Sequence, residues 1–435
     1  MLIKRIQLGM VHVSVAMTLV PINSTLNRVM IKEMAISATL VAILASLPYL
    51  LSPMQIAIGS FSDRHPLGGF RRTPYILLGL ILCTVGLLLS PQAANLLESN
   101  FPVGILFCIL AFGAWGMGFN FATVSYLSLA TEISGENGRG RTVAIMWFMM
   151  IVSIILTAIG LSQMVDPYSP QALVKAFWIV GIVALFIGLL GLVKLERSRH
   201  ELSASTEEYS WGMLTRFIWI NHQAKIFFIY LTILVASLLG QDILLEPFGG
   251  EAFGMTVKQT TRITSIWGTS FLVALLSAGA LEGRLSKRST AKTGGWMAFA
   301  GFVLITLSGF FLNSDVFYGG VVLLGIGSGL ATVSNLSLML DMTTEEKVGL
   351  FIGAWGMSNA ISRMLGAILS GVVRDLITRL TDNAVLGYVI VFGVLAAMIL
   401  LSLLLLRSIN VEAFRREANS AATYIEKAAI AGEFG

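Results

Sequence analysis

Charged residues are scarce in this sequence, and their scarcity excludes an ordinary water-soluble protein. Lys, Arg, Asp and Glu make up 12% of the 435 residues, whereas soluble domains carry about 25%. Hydrophobic residues make up 56%, and the mean hydropathy is +0.82. The net charge of +5 comes without the basic stripe and interleaved aromatic residues typical of nucleic-acid binding, so we expect no nucleic-acid partner. The composition predicts an integral membrane protein.

Cysteines are few, and the common catalytic motifs are missing. Cys83 and Cys108 both lie inside apolar stretches, which indicates small core residues and not a disulfide. The sequence contains no phosphate-binding loop, no His-Glu-x-x-His and no nucleophile elbow. We therefore expect that the protein is neither an enzyme nor an ATP-driven pump.

Long apolar runs are abundant. A helix needs about 20 apolar residues to cross a hydrocarbon layer that is roughly 30 Å thick. The backbone inside lipid must hydrogen-bond to itself, so such runs form helices. Twelve runs qualify as predicted spans 1 to 12: 8–28, 36–60, 74–92, 101–131, 142–164, 172–194, 224–246, 260–281, 295–312, 316–340, 349–373 and 384–406.

The loops between these spans differ in positive charge. Lys and Arg cluster before span 1, after spans 2, 4, 6 and 8, and after span 12. Basic residues stay on the cytoplasmic side, so we expect both termini to be cytoplasmic. Basic residues after spans 1, 7 and 11 are exceptions to this pattern: Arg28, Lys32, Lys258, Arg262, Arg374 and Arg379.

One eight-residue string occurs twice. Ala-Thr-Val-Ser-Tyr-Leu-Ser-Leu at 122–129 returns at 331–338 with a single change, 209 residues further on. Glycines before each copy and an acid after each copy keep the same register: Gly116, Gly118 and Glu132 match Gly325, Gly327 and Asp341. The match predicts two similar halves in the same order.

The longest polar interruption divides the chain near its middle. We predict a six-helix bundle at 1–194, a cytoplasmic linker at 195–222, a second bundle at 223–406 and a cytoplasmic tail at 407–435. Trp211 and Trp219 in the linker favour equally a helix lying at the membrane surface and a plain anchor for span 7. This arrangement predicts an all-α membrane protein with 12 transmembrane helices and the major facilitator fold, two six-helix bundles in parallel pseudo-repeat.

The loop between spans 2 and 3 carries a motif. Asp63 and Arg64 follow Gly59, and the pair Arg71-Arg72 comes a few residues later. This pattern resembles the facilitator loop Gly-x-x-x-Asp-Arg-x-Gly-Arg-Arg, with extra residues before the arginine pair. Asp63 can accept hydrogen bonds from arginines or from a helix N-terminus of the opposite half, so these residues are candidates for a conformational latch. The alternative is an ordinary basic loop.

Three segments carry a closer resemblance: Ser-Thr-Leu-Asn-Arg at 24–28, the stretch from Asp63 to Ile76, and Gln-Asp-Ile-Leu-Leu-Glu-Pro-Phe-Gly-Gly at 241–250. They resemble the PucC/LhaA or bacteriochlorophyll delivery family of the major facilitator superfamily. The resemblance implies help in assembling light-harvesting complexes and contact with chlorophyll or bacteriochlorophyll as a bound ligand. Antenna or photosystem proteins, and chlorophyll synthesis or insertion machinery, are the partners that it implies.

Two acids in span 7 are candidate functional residues. Asp242 and Glu246 are four residues apart, which places them on one face of a continuous helix. Acids at membrane depth face a cavity or a partner, and Arg28 and Arg363 are the candidate partners. Three interpretations stay open: a polar patch that gates or binds a pigment, a proton-coupling site, or a structural ion pair where Pro-Phe-Gly-Gly at 247–250 stops the helix.

A magnesium ligand for a pigment has several candidates. His12 is the histidine deep in an apolar span, and neutral imidazole suits the role, although a lone histidine more often bonds to a neighbouring helix. Magnesium also accepts oxygen donors. The oxygen donors in apolar spans are Asn27, Asn120, Asn335 and Gln241.

The duplicated string places two hydroxyl pairs on equivalent helices. Ser125 and Ser128 are three residues apart, as are Ser334 and Ser337. Small hydroxyl residues let helices approach closely and bond across, and the repeated glycines fit the same role. We favour packing, and lining of a central cavity is the alternative.

Together these features favour a membrane assembly factor that binds or delivers (bacterio)chlorophyll to antenna or photosystem proteins. A proton-coupled transporter of a small amphipathic solute and a non-transporting scaffold for such subunits are the alternatives, because fold alone does not fix function. We expect a photosynthetic membrane, thylakoid or intracytoplasmic, or the plasma membrane.

Overall fold

A computed structural model describes residues 1–134, 138–196, 222–280, 286–342 and 348–409. Nearly all of the predicted linker and tail, with Trp211 and Trp219, lie outside these residues. The N-terminal half contains α1 (Leu2–Val20), π-helical turns (Pro21–Leu26 and Val29–Glu33), α2 (Ala38–Ala45), α3 (Leu47–Leu50), α4 (Met54–Arg64), α5 (Thr73–Ser99), α6 (Phe101–Ser134), α7 (Arg139–Met164) and α8 (Pro170–Leu192).

The C-terminal half repeats this order. It contains α9 (His222–Gly240), α10 (Leu245–Phe253), α11 (Val257–Ala280), α12 (Lys287–Phe311), α13 (Ser314–Met342), α14 (Val348–Thr381) and α15 (Ala384–Ser408). Serine or asparagine side chains accept a backbone N–H at the start of α2, α8, α12 and α15, as N-cap residues do. Proline lies where the predicted span 2 is interrupted, at Pro48 and Pro53.

Eight helices within the described ranges are long and apolar enough to cross a bilayer, and the bent pair α9–α10 makes a ninth when it is counted as one. The other predicted spans correspond to α2–α4, which is interrupted, and to α11 and α14, which carry charges such as Arg262 and Arg363. These interrupted or more polar helices pack against the opposite half: α14 contacts α2 and α3, and α11 contacts α7. Helices that face protein need less apolar surface than helices that face lipid.

The two halves pack in the same way. In the N-terminal half α1 contacts α7 and α8, while α5 contacts α6 and α8. The equivalent pairs in the C-terminal half are α9 with α14 and α15, and α12 with α13 and α15. The contacts between the halves also form an equivalent pair, α2 with α14 and α11 with α7. This correspondence is the parallel pseudo-repeat predicted from the duplicated string.

The duplicated string begins at a close helix crossing. A Cβ added to Gly79 of α5 would clash with the backbone N of Ala122, and one added to Gly294 of α12 would clash with that of Ala331. A Cβ at Gly118 or its counterpart Gly327 would likewise meet backbone atoms of α5 or α12. The predicted close-contact role is confirmed for Gly118 and Gly327.

Candidate functional site

The second half opens with a broken helix at membrane depth. α9 ends at Gly240, α10 begins at Leu245, and the two helices are bent by 42°. The predicted stop at 247–250 is wrong, because these residues lie inside α10 and the helix ends at Phe253. Pro247 is tolerated because it sits in the first turn, where its missing N–H is not needed. Gly254, with φ of +63°, ends the helix instead.

The break separates the two acids of this segment. Asp242 lies in the turn between the helices, is half-buried, and accepts a 2.6 Å hydrogen bond from Gln241. Glu246 lies in the first turn of α10 and is buried. The prediction that both acids share one continuous helix face is therefore wrong, since a turn comes between the two helices. Each acid has its own surroundings.

Asp242 belongs to a charged cluster between the halves, which we call the central cluster: Tyr49, Gln241, Asp242 and Arg363. Arg363 and Asp242 interact electrostatically. The Arg363 guanidinium lies 5.6 Å from the Tyr49 ring centroid, and its Nη1 donates a long, 3.4 Å hydrogen bond to the Tyr49 hydroxyl. Arg363 is thus placed beside an acid of its own half and an aromatic ring of the other half.

A close crossing of α9 and α14 fixes the position of Arg363. A Cβ at Gly366, one turn further along α14, would clash with the Ala236 carbonyl oxygen. A Cβ at Gly240 would lie 3.0 Å from the Gly366 carbonyl oxygen. Because α9 ends at this crossing, the turn that carries Asp242 emerges next to Arg363.

A polar link within the N-terminal half joins α6 to α3 and α4. The Asn120 amide on α6 donates to the carbonyl oxygens of Pro48 at 2.9 Å and Gly116 at 2.8 Å, and its oxygen accepts from Gln55 at 2.5 Å. Tyr49 follows Pro48, so this link ties the segment that faces Arg363 to the bundle.

Asn335 has a similar structural place in the C-terminal half. It accepts a 2.7 Å hydrogen bond from the Tyr230 hydroxyl on α9 and donates to the Ala331 carbonyl of its own helix at 2.7 Å. Asn120 and Asn335 therefore both hold neighbouring segments of their own half in place. A role for either as an oxygen ligand of magnesium stays a prediction.

Glu246 joins the two halves through hydroxyl groups. It accepts a hydrogen bond from Ser24 of the first π-helical turn and one of 2.7 Å from Thr264 on α11. Thr25 and Thr261 are hydrogen-bonded to each other at 3.0 Å, and both are buried. We call this set of contacts the seam. With the predicted orientation, the seam lies toward the extracytoplasmic face.

Two basic residues extend the seam. Arg28 pairs with Glu33 and donates to the Met255 carbonyl at 3.0 Å, and Lys32 donates to the Gly250 carbonyl. Arg28 therefore bridges its own helix and the turn after α10, and it interacts electrostatically with Glu246 without a hydrogen bond to it. Asn27 donates to the Asn23 carbonyl at 3.0 Å, a bond within its own helix.

Two aspartates in equivalent positions, Asp166 and Asp375, join the two halves at the ends of the α7–α11 and α2–α14 contacts. Asp375 near the end of α14 accepts hydrogen bonds from the backbone N–H and the hydroxyl of Thr39 on α2, at 2.8 and 2.7 Å. Asp166, just after α7, forms a 2.7 Å ion pair with Lys258 of α11. The two acids are 209 residues apart, the offset of the duplicated string. Thr39 and Lys258 are each the second residue of their helix, so the two contacts occupy equivalent places.

The predicted latch forms contacts within its own half. A carboxylate of Glu196 accepts the backbone N–H groups of Arg71, Arg72 and Thr73 at the start of α5. The Arg72 side chain donates to Ser62 at 2.6 Å and pairs with Glu132 at 3.2 Å. Arg64 is exposed at the end of α4, and the side chain of Asp63 lies outside the described residues. A latch to the other half stays a prediction.

The duplicated serines face the packed interior to different degrees. Ser125 and Ser334 are buried, whereas Ser128 and Ser337 are half-buried. Ser334 donates to the Leu330 carbonyl of its own helix at 2.7 Å. The choice between packing and cavity lining for these hydroxyls stays open.

His12 lies on α1 inside the N-terminal bundle and is not part of the central cluster. Its ring is 5.2 Å from that of Tyr126, which belongs to an apolar cluster with Leu8, Val11 and Ala122. Magnesium binds an imidazole through a ring nitrogen. His12 is only 8% exposed, and its Nδ1 is buried with no hydrogen-bond partner among the described residues. A free nitrogen is therefore present, but a tetrapyrrole could reach it only if the surrounding helices moved apart, and magnesium ligation by His12 stays a prediction.

For several residues of the site, the amino-acid sequence contains no pattern that would identify them as functional. Tyr49, Ser24 and Thr264 are ordinary residue types in apolar helices, and their roles depend on which helices meet. Asp375 was detectable, because it matches Asp166 at the offset of the duplicated string. Glu33 was detectable from its position five residues after an intramembrane arginine.

The paired bundles, the broken helix and the polar contacts between the halves define a membrane protein of the major facilitator type. Among solved structures, that of the nucleoside transporter NupG has a TM-score of 0.68 at 14% identity, covering 93% of this chain and 98% of that one. The peptide transporter POT in complex with sulfate has a TM-score of 0.70 at 12% identity, covering 95% of each chain. These likenesses concern the fold alone.

The sequence comparisons identify the family. The model of the PUCC protein family matches residues 25–414, and the chain belongs to this family. Protein PucC of Cereibacter sphaeroides is 30% identical over 417 residues, 93% of this chain and 91% of that protein. The Bacteriochlorophyll synthase 44.5 kDa chain of Rhodobacter capsulatus is 27% identical over 405 residues, 91% and 92% of the two chains.

Proposed function

We propose that this protein is an assembly factor of the photosynthetic membrane that binds (bacterio)chlorophyll and delivers it to light-harvesting or photosystem proteins. The observation that carries this proposal is full-length membership of the PUCC family, with one similar chain named for bacteriochlorophyll synthase. Antenna or photosystem apoproteins are the proposed recipients, and chlorophyll synthesis or insertion machinery is the proposed source. The role needs no catalytic residue, so the proposal includes that the protein is not an enzyme.

The architecture is suited to holding a cargo and releasing it. Two bundles meet along a seam that is closed on one side by Glu246, Arg28 and Lys32. The central cluster of Asp242 and Arg363 lies between the bundles and is half-buried. Charged groups at membrane depth are costly unless they serve a ligand or a partner. A pigment has an apolar ring and polar edge groups, so its ring can pack against apolar helix surfaces while its polar groups bind the charged side chains.

The test is the absorption spectrum of the gently purified full-length chain. Pigment that co-purifies, and is lost when an apoprotein helix of an antenna complex is added, supports binding and delivery. Antenna subunits that co-purify without pigment on this chain support the scaffold instead. Absence of pigment, with no uptake when bacteriochlorophyll is supplied in detergent, contradicts the proposal.

A proton-coupled transporter of a small amphipathic solute is the second candidate. The observation that favours it is the presence of two carboxyl groups at membrane depth, Asp242 facing Arg363 and Glu246 joining the halves. Solute flux in proteoliposomes that depends on a proton gradient, and that Asp242→Asn abolishes, would support transport. Flux that is unaffected by this change would contradict the assigned role of Asp242.

The orientation and the membrane belong to the same proposal. We propose that both termini face the cytoplasm and that the protein resides in a photosynthetic membrane. Labelling of cysteines placed at position 2 and at Asn100, between α5 and α6, tests the orientation, because the two sites should react from opposite sides. Labelling of both sites from one side would contradict it.

A further inference from the structure

We propose that the central cluster is a carboxylate-binding site, selective for a flat ring molecule that bears a free carboxylic acid. The inference rests on the proposed function and makes it narrower: the pigment form that binds is the acid, before its propionate is esterified. The site is made of Arg363, Asp242 and Tyr49, with Phe119 behind the tyrosine ring.

The guanidinium of Arg363 is underused in this conformation. A guanidinium has five N–H donors, and within the described part of the chain Arg363 donates one long hydrogen bond, to Tyr49 at 3.4 Å. Its interaction with Asp242 is electrostatic and involves no hydrogen bond among the described residues. The Arg363 side chain is half-buried. The remaining donors can take a carboxylate in two parallel hydrogen bonds, the geometry that arginine favours.

Asp242 is the resident counter-charge of this arginine. An entering carboxylate takes over that function, and the two negative groups repel each other while both are present. The acid of the protein and the acid of the ligand therefore compete for Arg363. This competition predicts opposite effects for the two neutralising substitutions, Arg363→Gln and Asp242→Asn.

Tyr49 and Phe119 supply a wall for a flat apolar body. Their rings are 6.5 Å apart in an edge-to-face arrangement, and both side chains are half-buried. Tyr49 is held from behind, because Asn120 bonds to the preceding carbonyl at Pro48. An aromatic wall next to a cation favours a ring acid over a flexible chain, since stacked rings lose little conformational freedom.

The experiment measures pigment binding by the full-length chain in detergent, through quenching of its tryptophan fluorescence. The probes are bacteriochlorophyllide a, which has a free propionic acid, and bacteriochlorophyll a, in which that acid is esterified. We expect the acid to bind at least about tenfold more tightly than the ester, the difference expected for hydrogen bonds to a charged group. Oleate, a carboxylate without a ring, distinguishes a membrane fatty acid from a ring acid; its binding is measured by displacement of bacteriochlorophyllide a, and it should be weaker than that of the pigment.

The variants separate the charge effect from loss of folding. Arg363→Gln should remove the preference for the acid, and Asp242→Asn should strengthen acid binding about threefold to tenfold by removing the competitor. A gain in affinity cannot come from misfolding. Arg379→Gln is the matched control, because Arg379 is an exposed arginine at the far end of the same helix, and it should change nothing.

The outcomes separate this inference from the proposed function. Equal binding of acid and ester, or weaker acid binding in Asp242→Asn, overturns the inference and leaves pigment handling standing. Oleate binding as tight as that of bacteriochlorophyllide a overturns the selectivity for a ring. Failure of both pigments to bind overturns the proposed function together with the inference.

Discussion

Replacing Asp375 by Asn should weaken the contact between α2 and α14, on the face where the seam lies. One carboxylate oxygen of Asp375 accepts from the Ser37 hydroxyl and from the backbone N–H and hydroxyl of Thr39, at 2.7–2.8 Å. The other oxygen accepts from the Ala38 N–H at 3.1 Å and from Arg374 at 3.0 Å. Asn has nearly the same shape, but it has one acceptor oxygen and no charge.

The magnitude follows from the bonds that are lost. The amide NH₂ of Asn cannot accept the Thr39 N–H, and the bonds that remain lose their charge assistance. A hydrogen bond to a charged group contributes about 1.5–3 kcal/mol, and a carboxylate at a helix N-terminus contributes about 0.3–1 kcal/mol more. We expect the closed state to lose about 2 kcal/mol relative to a state that is open on this face, about a thirtyfold change in their ratio.

Spin labels on the outer face measure this ratio. Asn100 after α5 and Leu380 near the end of α14 are exposed and belong to different halves. Pulsed distance measurements between labels at these two positions should show a longer-distance population that grows in Asp375→Asn. A distance distribution identical to that of the unsubstituted protein would refute the reasoning.

Asp166→Asn is the matched control. Asp166 has the equivalent place in the first half, but its ion pair with Lys258 is solvent-accessible, with side chains 42% and 29% exposed. Exposed pairs contribute about 0.2–1 kcal/mol, so this variant should shift the ratio about fivefold at most. An effect as large as that of Asp375→Asn would show that burial does not govern the strength of these contacts.

Five further substitutions test the seam, the packing and the cap on α5 through thermal unfolding of the purified protein. Glu246→Gln should leave stability nearly unchanged, because a neutral group of the same shape avoids burial of a charge, whereas Glu246→Ala should lose about 1–3 kcal/mol by removing the acceptor that Ser24 and Thr264 share; equal losses in both variants would contradict this. Gly366→Ala should cost about 1–3 kcal/mol by overpacking, while Gly356→Ala on the same helix, where a Cβ meets open space, should cost nothing; equal effects would show that the crossing is not tight. Glu196→Gln should cost about 1 kcal/mol by weakening the cap on α5, and an unchanged unfolding temperature would count against that cap.

The fold could be predicted from the sequence because lipid leaves the backbone few choices. Apolar length marks each span, and one duplicated string fixes the order of the halves. The crossing of Gly79 and Ala122, repeated at Gly294 and Ala331, explains why that string is retained in both halves: it begins where two helices touch. Periodicity carried this information because each helix is regular.

The site could be predicted only in part, because it lies where helices are irregular. Treating span 7 as a continuous helix placed Asp242 and Glu246 on one face, but the 42° break sends them to different neighbours. A turn inside an apolar run has the same composition as the helix around it. Contacts between distant segments, such as Thr264 with Glu246, also leave no periodic trace.

Four of the six exceptions to the charge pattern, all but Arg262 and Arg379, have a physical explanation. Arg28 and Lys32 donate to backbone carbonyls of α10 and the turn after it, Lys258 pairs with Asp166, and Arg374 pairs with Asp375. A basic residue that is already paired inside the protein has less net charge to present to the membrane surface. When these paired residues are left out, the difference in Lys and Arg content between the loops on the two sides of the membrane becomes larger.

The two halves share one arrangement, but their equivalent contacts at this face differ in strength. Asp166 and Asp375 occupy equivalent places, yet one forms an exposed ion pair with Lys258 and the other caps a helix from a buried position with Ser37 and Thr39. The α2–α14 side of the outer face is therefore held more strongly than the α7–α11 side. When the two bundles separate on this face, the weaker side should open first, and the α2–α14 contact should act as the pivot. Such a rocking motion would uncover the seam at Glu246 before it disturbs Asp375. The difference in strength between the Asp375 contact and the Asp166 contact therefore sets the direction in which the bundles move.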